Sequence, residues 1–129
     1  MGPTKARKVD QSRAVTVMIH GAEVIGIDVD EKSRCTHYRS ECDIIAIKFK
    51  CCGQWFPCYR CHSELAGHPA IVWPGNEFDT LVVLCGSCGQ QLTIREYLQS
   101  DSACPRCREK FNPRCAEHYH LYFELRDID

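Results

Sequence analysis

No stretch of this sequence is apolar for long enough to cross a bilayer as a helix, which excludes that kind of membrane span. No charge of one sign dominates either, since 16 Lys and Arg against 17 Asp and Glu leave a net charge of −1. Without a basic excess, nucleic acid is not an expected partner. Peripheral membrane contact stays open. No Ser-His-Asp arrangement, paired acids or phosphate-binding glycine loop can be picked out, so no enzyme is expected. The first residues, MGPTKARKVDQSRA, lack the apolar stretch of a secretory signal, and Asp10 argues against a mitochondrial presequence. They read as part of a solvated tail over residues 1–25, with VTVMI (Val15–Ile19) as a short edge strand within it. The 129 residues suit one domain, expected over 26–125 with a short tail at 126–129.

What the chain has in excess is cysteine, with eleven in all. A disulfide framework and metal sites are the competing explanations. Disulfides need no histidine and no local spacing, and an odd total closes poorly into pairs. Here three Cys-x2-Cys pairs recur, Cys58/Cys61, Cys85/Cys88 and Cys104/Cys107, and histidines gather beside them. Metal is therefore the expectation. In chain order the ligands are Cys35, His37, Cys51, Cys52, Cys58, Cys61, His62, His68, Cys85, Cys88, Cys104 and Cys107. Structural zinc is four-coordinate and tetrahedral, so twelve ligands fit three zinc ions with none left over.

Fifteen residues separate the Cys85/Cys88 pair from the Cys104/Cys107 pair, the spacing of a zinc ribbon. Gly86 and Gly89 in CGSCG are expected to relieve crowding where amides fold toward the thiolates, and Pro105 to fix the second turn. A redox reading of CPRC (Cys104–Cys107) would need a helix start in a βαβ setting, which the flanking sequence does not offer. The other eight ligands divide less clearly. Cys58 and Cys61 belong on one ion, with Cys35 and His37 as the expected partners. Cys51, Cys52, His62 and His68 would then form the second site. Neighbouring side chains on a strand point to opposite faces. Cys51 and Cys52 can therefore share an ion only if the chain has already turned, which Gly53 permits; otherwise they feed different ions.

Between the ligands, DIIAIKF (Asp43–Phe49), TLVVLCG (Thr80–Gly86) and HLYFEL (His120–Leu125) read as strands. TIREYLQ reads as a helix opened by a Thr93/Glu96 capping box. HSELAG reads as one helical turn ended by Gly67. The fold class expected is a small, irregular, zinc-stabilised α+β domain of short strands and one or two short helices around three zinc sites. So small a core leaves stability to the metal, at about 10–16 kcal/mol per structural zinc. Trp55, Phe56, Tyr59 and Trp73 are expected to cover that core, with a docking patch as the other reading. Cys42 and His20 are assigned no metal. Cys115, His118 and His120 in CAEHYH could hold a weaker fourth ion; the blander reading packs Cys115 inside and alternates the histidines on a strand.

The segments RCTHYRS, DIIAIKFKCCGQWFPCYRCHSELAGHP, LCGSCGQQLTIREYL and CPRCREKFNPRCAEHYHLYFE together resemble the CHY-type zinc finger family, over roughly residues 26–125. The twelve positions above match the family's zinc ligands, and Cys42 falls outside its pattern. FNPRCAEHYHLYFE is most similar to the stand-alone fungal members that help small Tim proteins. That resemblance implies a non-enzymatic, monomeric zinc protein of the mitochondrial intermembrane space. Its implied partners are small Tim proteins and the import receptor of the disulfide relay, which it would keep zinc-free and oxidisable. The same family supplies substrate-binding modules of ubiquitin ligases, a second reading; a chain ending at Asp129 would then need a further polypeptide to supply the ligase machinery. A thiol oxidoreductase, the third class, would need an exposed, metal-free, low-pKa cysteine pair.

Overall fold

The computed structural model describes residues 14–113 and 118–124. A single six-stranded sheet forms the scaffold, in the order β1-β2-β4-β3-β5-β6. Its strands are β1 (Ala14–Ile19), β2 (Ala22–Ile27), β3 (Ile45–Lys48), β4 (Trp55–Phe56), β5 (Leu81–Cys85) and β6 (Gln91–Thr93). All pairings are antiparallel except β2 with β4, which run parallel and meet at Val24 and Trp55. Among the described residues three short α-helices accompany the sheet, α1 (Tyr59–Leu65), α2 (Ile94–Leu98) and α3 (Tyr119–Tyr122), with a 3-10 turn at Gly75–Glu77. This is the small α+β fold read from the sequence, with three cysteine/histidine groups set around it. Among the described residues no helix is long and apolar enough to cross a membrane.

The central strands are apolar on both faces. Ile45, Ala46 and Ile47 of β3 and Val82, Val83, Leu84 and Cys85 of β5 are all buried. Such runs suit the middle of a sheet covered on both sides. At the edge, β1 shows Val15 and Met18 to solvent. The edge strand read at Val15–Ile19 is β1, and β2 joins it to the sheet, where the sequence reads as only a tail around that strand. A two-residue loop explains why. His20 and Gly21 both take positive φ, 49° and 91°, and Ile19 pairs with Ala22, so the hairpin closes through a turn whose twist matches the strands.

Two other expectations change. In HLYFEL the described residues do not form a strand: Tyr119–Tyr122 is helical and Phe123 bridges, in parallel, to Trp73, while Leu125 lies outside the described residues. The backbone amides of Trp73 and Glu124 donate to the carbonyls of Tyr122 and Trp73 at 2.9 and 2.8 Å, tying the two segments together. The helix of HSELAG starts earlier than expected, with Cys58 as its N-cap; it ends at Ala66, just before Gly67 at φ 76°. Trp55, Phe56 and Trp73 are buried, as core cover should be. The core they close, with Val24, Ile44, Leu92, Ile94, Phe111 and Phe123 also buried, is larger than the short elements suggested.

Candidate metal centres

Three hairpin turns in this chain share one backbone pattern. In Cys85–Gln90, the Cys85 amide donates to the Gln90 carbonyl at 2.9 Å and the Gly89 amide donates back to the Cys85 carbonyl at 2.8 Å. In Cys104–Glu109 the same two bonds link Cys104 with Glu109 and Arg108 with Cys104, both at 2.9 Å. In Phe49–Gln54 they link Phe49 with Gln54 at 3.0 Å and Gly53 with Phe49 at 2.7 Å. The fifth residue of each turn lies at positive φ: Gly89 at 84°, Arg108 at 70° and Gly53 at 70°. The first two turns carry cysteine at positions one and four, which is how a Cys-x2-Cys turn aims two sulfurs at one point. The third carries Phe49 at position one and Cys51 and Cys52 at positions three and four. Because the chain has turned there, the two adjacent cysteines reach the same side.

The structure gathers the expected ligands into three fours. Cys35, His37, Cys58 and Cys61 form one, Cys51, Cys52, His62 and His68 the second, and Cys85, Cys88, Cys104 and Cys107 the third. Within each, the ligand atoms lie within 4.8 Å of one another. The finer spacing tests what such a group can hold. Four sulfurs at about 2.3 Å from a central zinc stand about 3.8 Å apart along a tetrahedron's edges. Cys85 and Cys107 stand at 3.8 Å, Cys88 and Cys104 at 3.7 Å, Cys35 and Cys58 at 3.6 Å, and Cys51 and Cys52 at 3.9 Å. His37 Nδ1 lies 3.7, 3.4 and 3.5 Å from the sulfurs of Cys35, Cys58 and Cys61. The three groups fit three zinc ions.

Electrostatics point the same way. Hydrogen bonds from the Cys58 and Cys61 thiols hold Cys35 far below the ordinary thiol range. Burial pushes Cys58 up, and donation to Cys35 pushes Cys61 up to about 12. Burial likewise raises Cys52, Cys85 and Cys88. It also works to raise Cys104, but the Cys107 and Arg106 amides outweigh it and bring that thiol down. As protein groups alone, the first and third clusters favour one thiolate and resist the next. A divalent cation at the centre removes the conflict for all of them. Burial lowers His62, which keeps its imidazole neutral and able to ligate.

Each group is fastened to different elements. In the first, Cys58 caps α1 and accepts from the Cys61 amide at 3.4 Å, Cys61 accepts from the Ile27 amide at the end of β2, and Cys35 comes from the β2–β3 loop. His37 Nε2 donates to the Glu64 carboxylate at 3.2 Å, which fixes the ring with Nδ1 toward the sulfurs. In the second, the β3–β4 turn supplies Cys51 and Cys52, α1 supplies His62, and His68 lies just past the helix. Both imidazole Nε2 atoms stand 3.2 Å from Cys51 Sγ. Phe49 stacks on the buried His62 ring at 4.2 Å and Phe56 meets it edge-on at 5.0 Å. In the third, β5 runs into Cys85, and the Ala103–Lys110 bridge closes the turn that carries Cys104 and Cys107.

Glu64 and Phe49 were missed in the sequence. Glu64 stands three residues past Cys61, so helical spacing would have placed it near the metal's ligands. The glycines act differently from expectation. A side chain at Gly86 would run into the Lys32 carbonyl and stand 2.7 Å from the Ile44 carbonyl, to which the Gly86 amide donates at 2.6 Å. Gly89 is required by its positive φ and by the His20 ring above it. That ring donates from Nε2 to the Ser87 carbonyl at 3.1 Å, so His20 braces a turn rather than a metal. Cys42 stands apart from the three groups, 3.6 Å from the Ser40 hydroxyl. Cys115 lies outside the described residues. His118 packs against Tyr59 and Tyr38 at the start of α3 and His120 is exposed on it, so the two histidines do not alternate on a strand.

Comparison with known proteins agrees with this geometry. The chain is 41% identical over 109 residues to Helper of Tim protein 13 of Saccharomyces cerevisiae, covering 78% of this chain and 90% of that one. It is 42% identical over 103 residues to Helper of Tim protein 13 of Kluyveromyces lactis, covering 79% and 89%. An uncharacterized protein of Schizosaccharomyces pombe is 40% identical over 101 residues, covering 78% and 88%. No solved structure gives a significant match. The CHY zinc finger family model matches residues 35–119, a span that begins at Cys35 and takes in all three ligand groups, and the chain belongs to that family.

Proposed function

We infer that this chain is a zinc-binding, non-enzymatic assembly factor of the mitochondrial intermembrane space that assists the oxidative biogenesis of small Tim proteins. Its ligands are the twelve cysteines and histidines of the three groups. The observation that carries the reading is similarity over nine-tenths of a Helper of Tim protein 13, with the CHY zinc finger match over residues 35–119 spanning every ligand group. Among the described residues the twelve cysteines and histidines are turned on one another in fours, which suits a binding protein.

The chemistry follows from what zinc does to cysteine. A pair of sulfurs that holds zinc cannot form a disulfide until the ion leaves. A thiolate-rich protein that takes up zinc therefore favours oxidation of its partner. The partner proposed is the import receptor of the disulfide relay, kept zinc-free so that it can oxidise incoming small Tim proteins. The test is reoxidation of zinc-loaded receptor with and without this protein. Faster recovery of the receptor's disulfide is the expected result. An unchanged rate would remove the proposed function and bring the ubiquitin-ligase partner role forward.

A further inference from the structure

We propose that the group of Cys51, Cys52, His62 and His68 is the exchangeable one of the three, the place where this chain accepts zinc from a partner's cysteine pair. The proposal rests on the receptor-clearing reading above. Four observations single the group out.

First, it is the most open. His68 is exposed and Cys51 and Cys52 are half-buried, whereas Cys35, Cys58 and Cys61 of the first group are all buried, as are Cys85 and Cys104 of the third. An incoming sulfur can approach the second group beside His68 without moving the core.

Second, its donor set is the weakest in charge. Two thiolates and two neutral imidazoles face a dication, against three thiolates in the first group and four in the third. Each thiolate replaced by an imidazole removes one unit of attraction at about 2.3 Å.

Third, its turn is the incomplete one. Where Cys85 and Cys104 open their turns, Phe49 stands in the same backbone position. Those two sulfurs each draw amide hydrogen bonds, Cys85 from Ser87 and Cys88, Cys104 from Arg106 and Cys107. Phe49 offers no sulfur for such bonds and packs on His62 instead.

Fourth, the fold does not need this ion. The Phe49–Gln54 turn is closed by its own two backbone bonds, and β4 is paired to β3 and β2. Helix α1, which carries His62, is anchored separately through Cys58 and Cys61 in the first group. Emptying the second group frees the His68 loop and leaves the sheet and helix in place.

The transfer balances without any oxidant. Zinc leaves two partner sulfurs for those of Cys51 and Cys52, and the imidazoles of His62 and His68 displace the water that fills the ion's other two positions on the partner's cysteine pair. Two Zn–S bonds break for two that form, and the two protons shed by Cys51 and Cys52 pass to the partner's sulfurs. The partner is left as a free dithiol, and the form of this chain that accepts is the one with two zincs.

The order of release tests the site directly. Fully loaded protein is treated with one equivalent of a zinc chelator and then with an alkylating reagent, and read by native and peptide mass spectrometry. The expected result is two zincs retained, with Cys51 and Cys52 alkylated ahead of the other seven ligand cysteines. First alkylation in either other group, or loss of all three ions together, overturns the proposal whatever the protein's function. The second arm uses His68→Ala. Loss of one ligand should weaken zinc at this group by at least about tenfold, as loss of a mere ligand-orienting partner already does. The variant should hold two zincs, keep its circular dichroism spectrum, and no longer clear zinc-loaded receptor when the two-zinc wild type does. A variant that clears the receptor as fast as wild type overturns the proposal and leaves the function standing. A wild type that clears nothing while releasing zinc in the expected order removes the function instead.

Discussion

At the scale of single residues, the ligand groups depend on neighbours that bind no metal. Glu64 holds the His37 ring by accepting from Nε2 at 3.2 Å. Glu64→Gln keeps the size and removes the charge, so the affinity of the first group for zinc should fall about 10- to 100-fold, with the other two groups unchanged. Competition with a metal indicator of known affinity reads that difference. Gly86 sits where the β5 end meets the Lys32 and Ile44 carbonyls. Gly86→Ala should therefore cost about 1–3 kcal/mol through displaced backbone, measured by urea unfolding with zinc in excess. The ligands themselves were legible in the sequence because Cys-x2-Cys is a local device: a short span of chain decides it. The grouping of Cys51 with Cys52 was only conditionally legible, since it required a turn that Gly53 allows and does not by itself impose. Phe49 was not legible, because its role comes from matching the hydrogen bonds of two distant turns.

Elements show the same division between local and long-range causes. Helix α2 was readable in full, since Thr93 accepts from the Glu96 amide at 3.0 Å and the Glu96 carboxylate accepts from the Thr93 amide at 2.9 Å. Those contacts lie three residues apart. Removing the cap with Thr93→Ala should cost about 1 kcal/mol and lower the melting temperature by about 4 °C, without loss of zinc. Differential scanning calorimetry alongside zinc analysis checks both parts. Strands β4 and β6 escaped because two or three residues carry no period of their own. Their partners on β2, β3 and β5 define them. The hairpin of β1 and β2 did leave a signal, the His20-Gly21 pair between two β-branched runs. HLYFEL misled because a short apolar run fits either a helix or a strand. Aromatic packing decides it: Tyr119 and Phe123 both lie against Tyr97, with ring centres 5.5 and 6.3 Å away.

For the whole molecule, the question is how much of the fold the metal holds. The buried sheet core is larger than the short elements implied, yet buried sulfurs form part of it: Cys35, Cys58, Cys61, Cys85 and Cys104 are all in the apolar cluster. Without zinc, those groups would have to be buried as thiols crowded together. Full chelation should therefore collapse NMR dispersion and change the circular dichroism spectrum, and a well-dispersed spectrum of zinc-free protein would show that the sheet core suffices alone. The most direct test of the central claim is native mass spectrometry of full-length protein purified under reducing conditions and equilibrated with a small excess of zinc. Three zinc ions per chain, with all eleven cysteines free of disulfides, is the expected mass. A chain that saturates at one zinc, or carries disulfides in place of the missing ions, would contradict it.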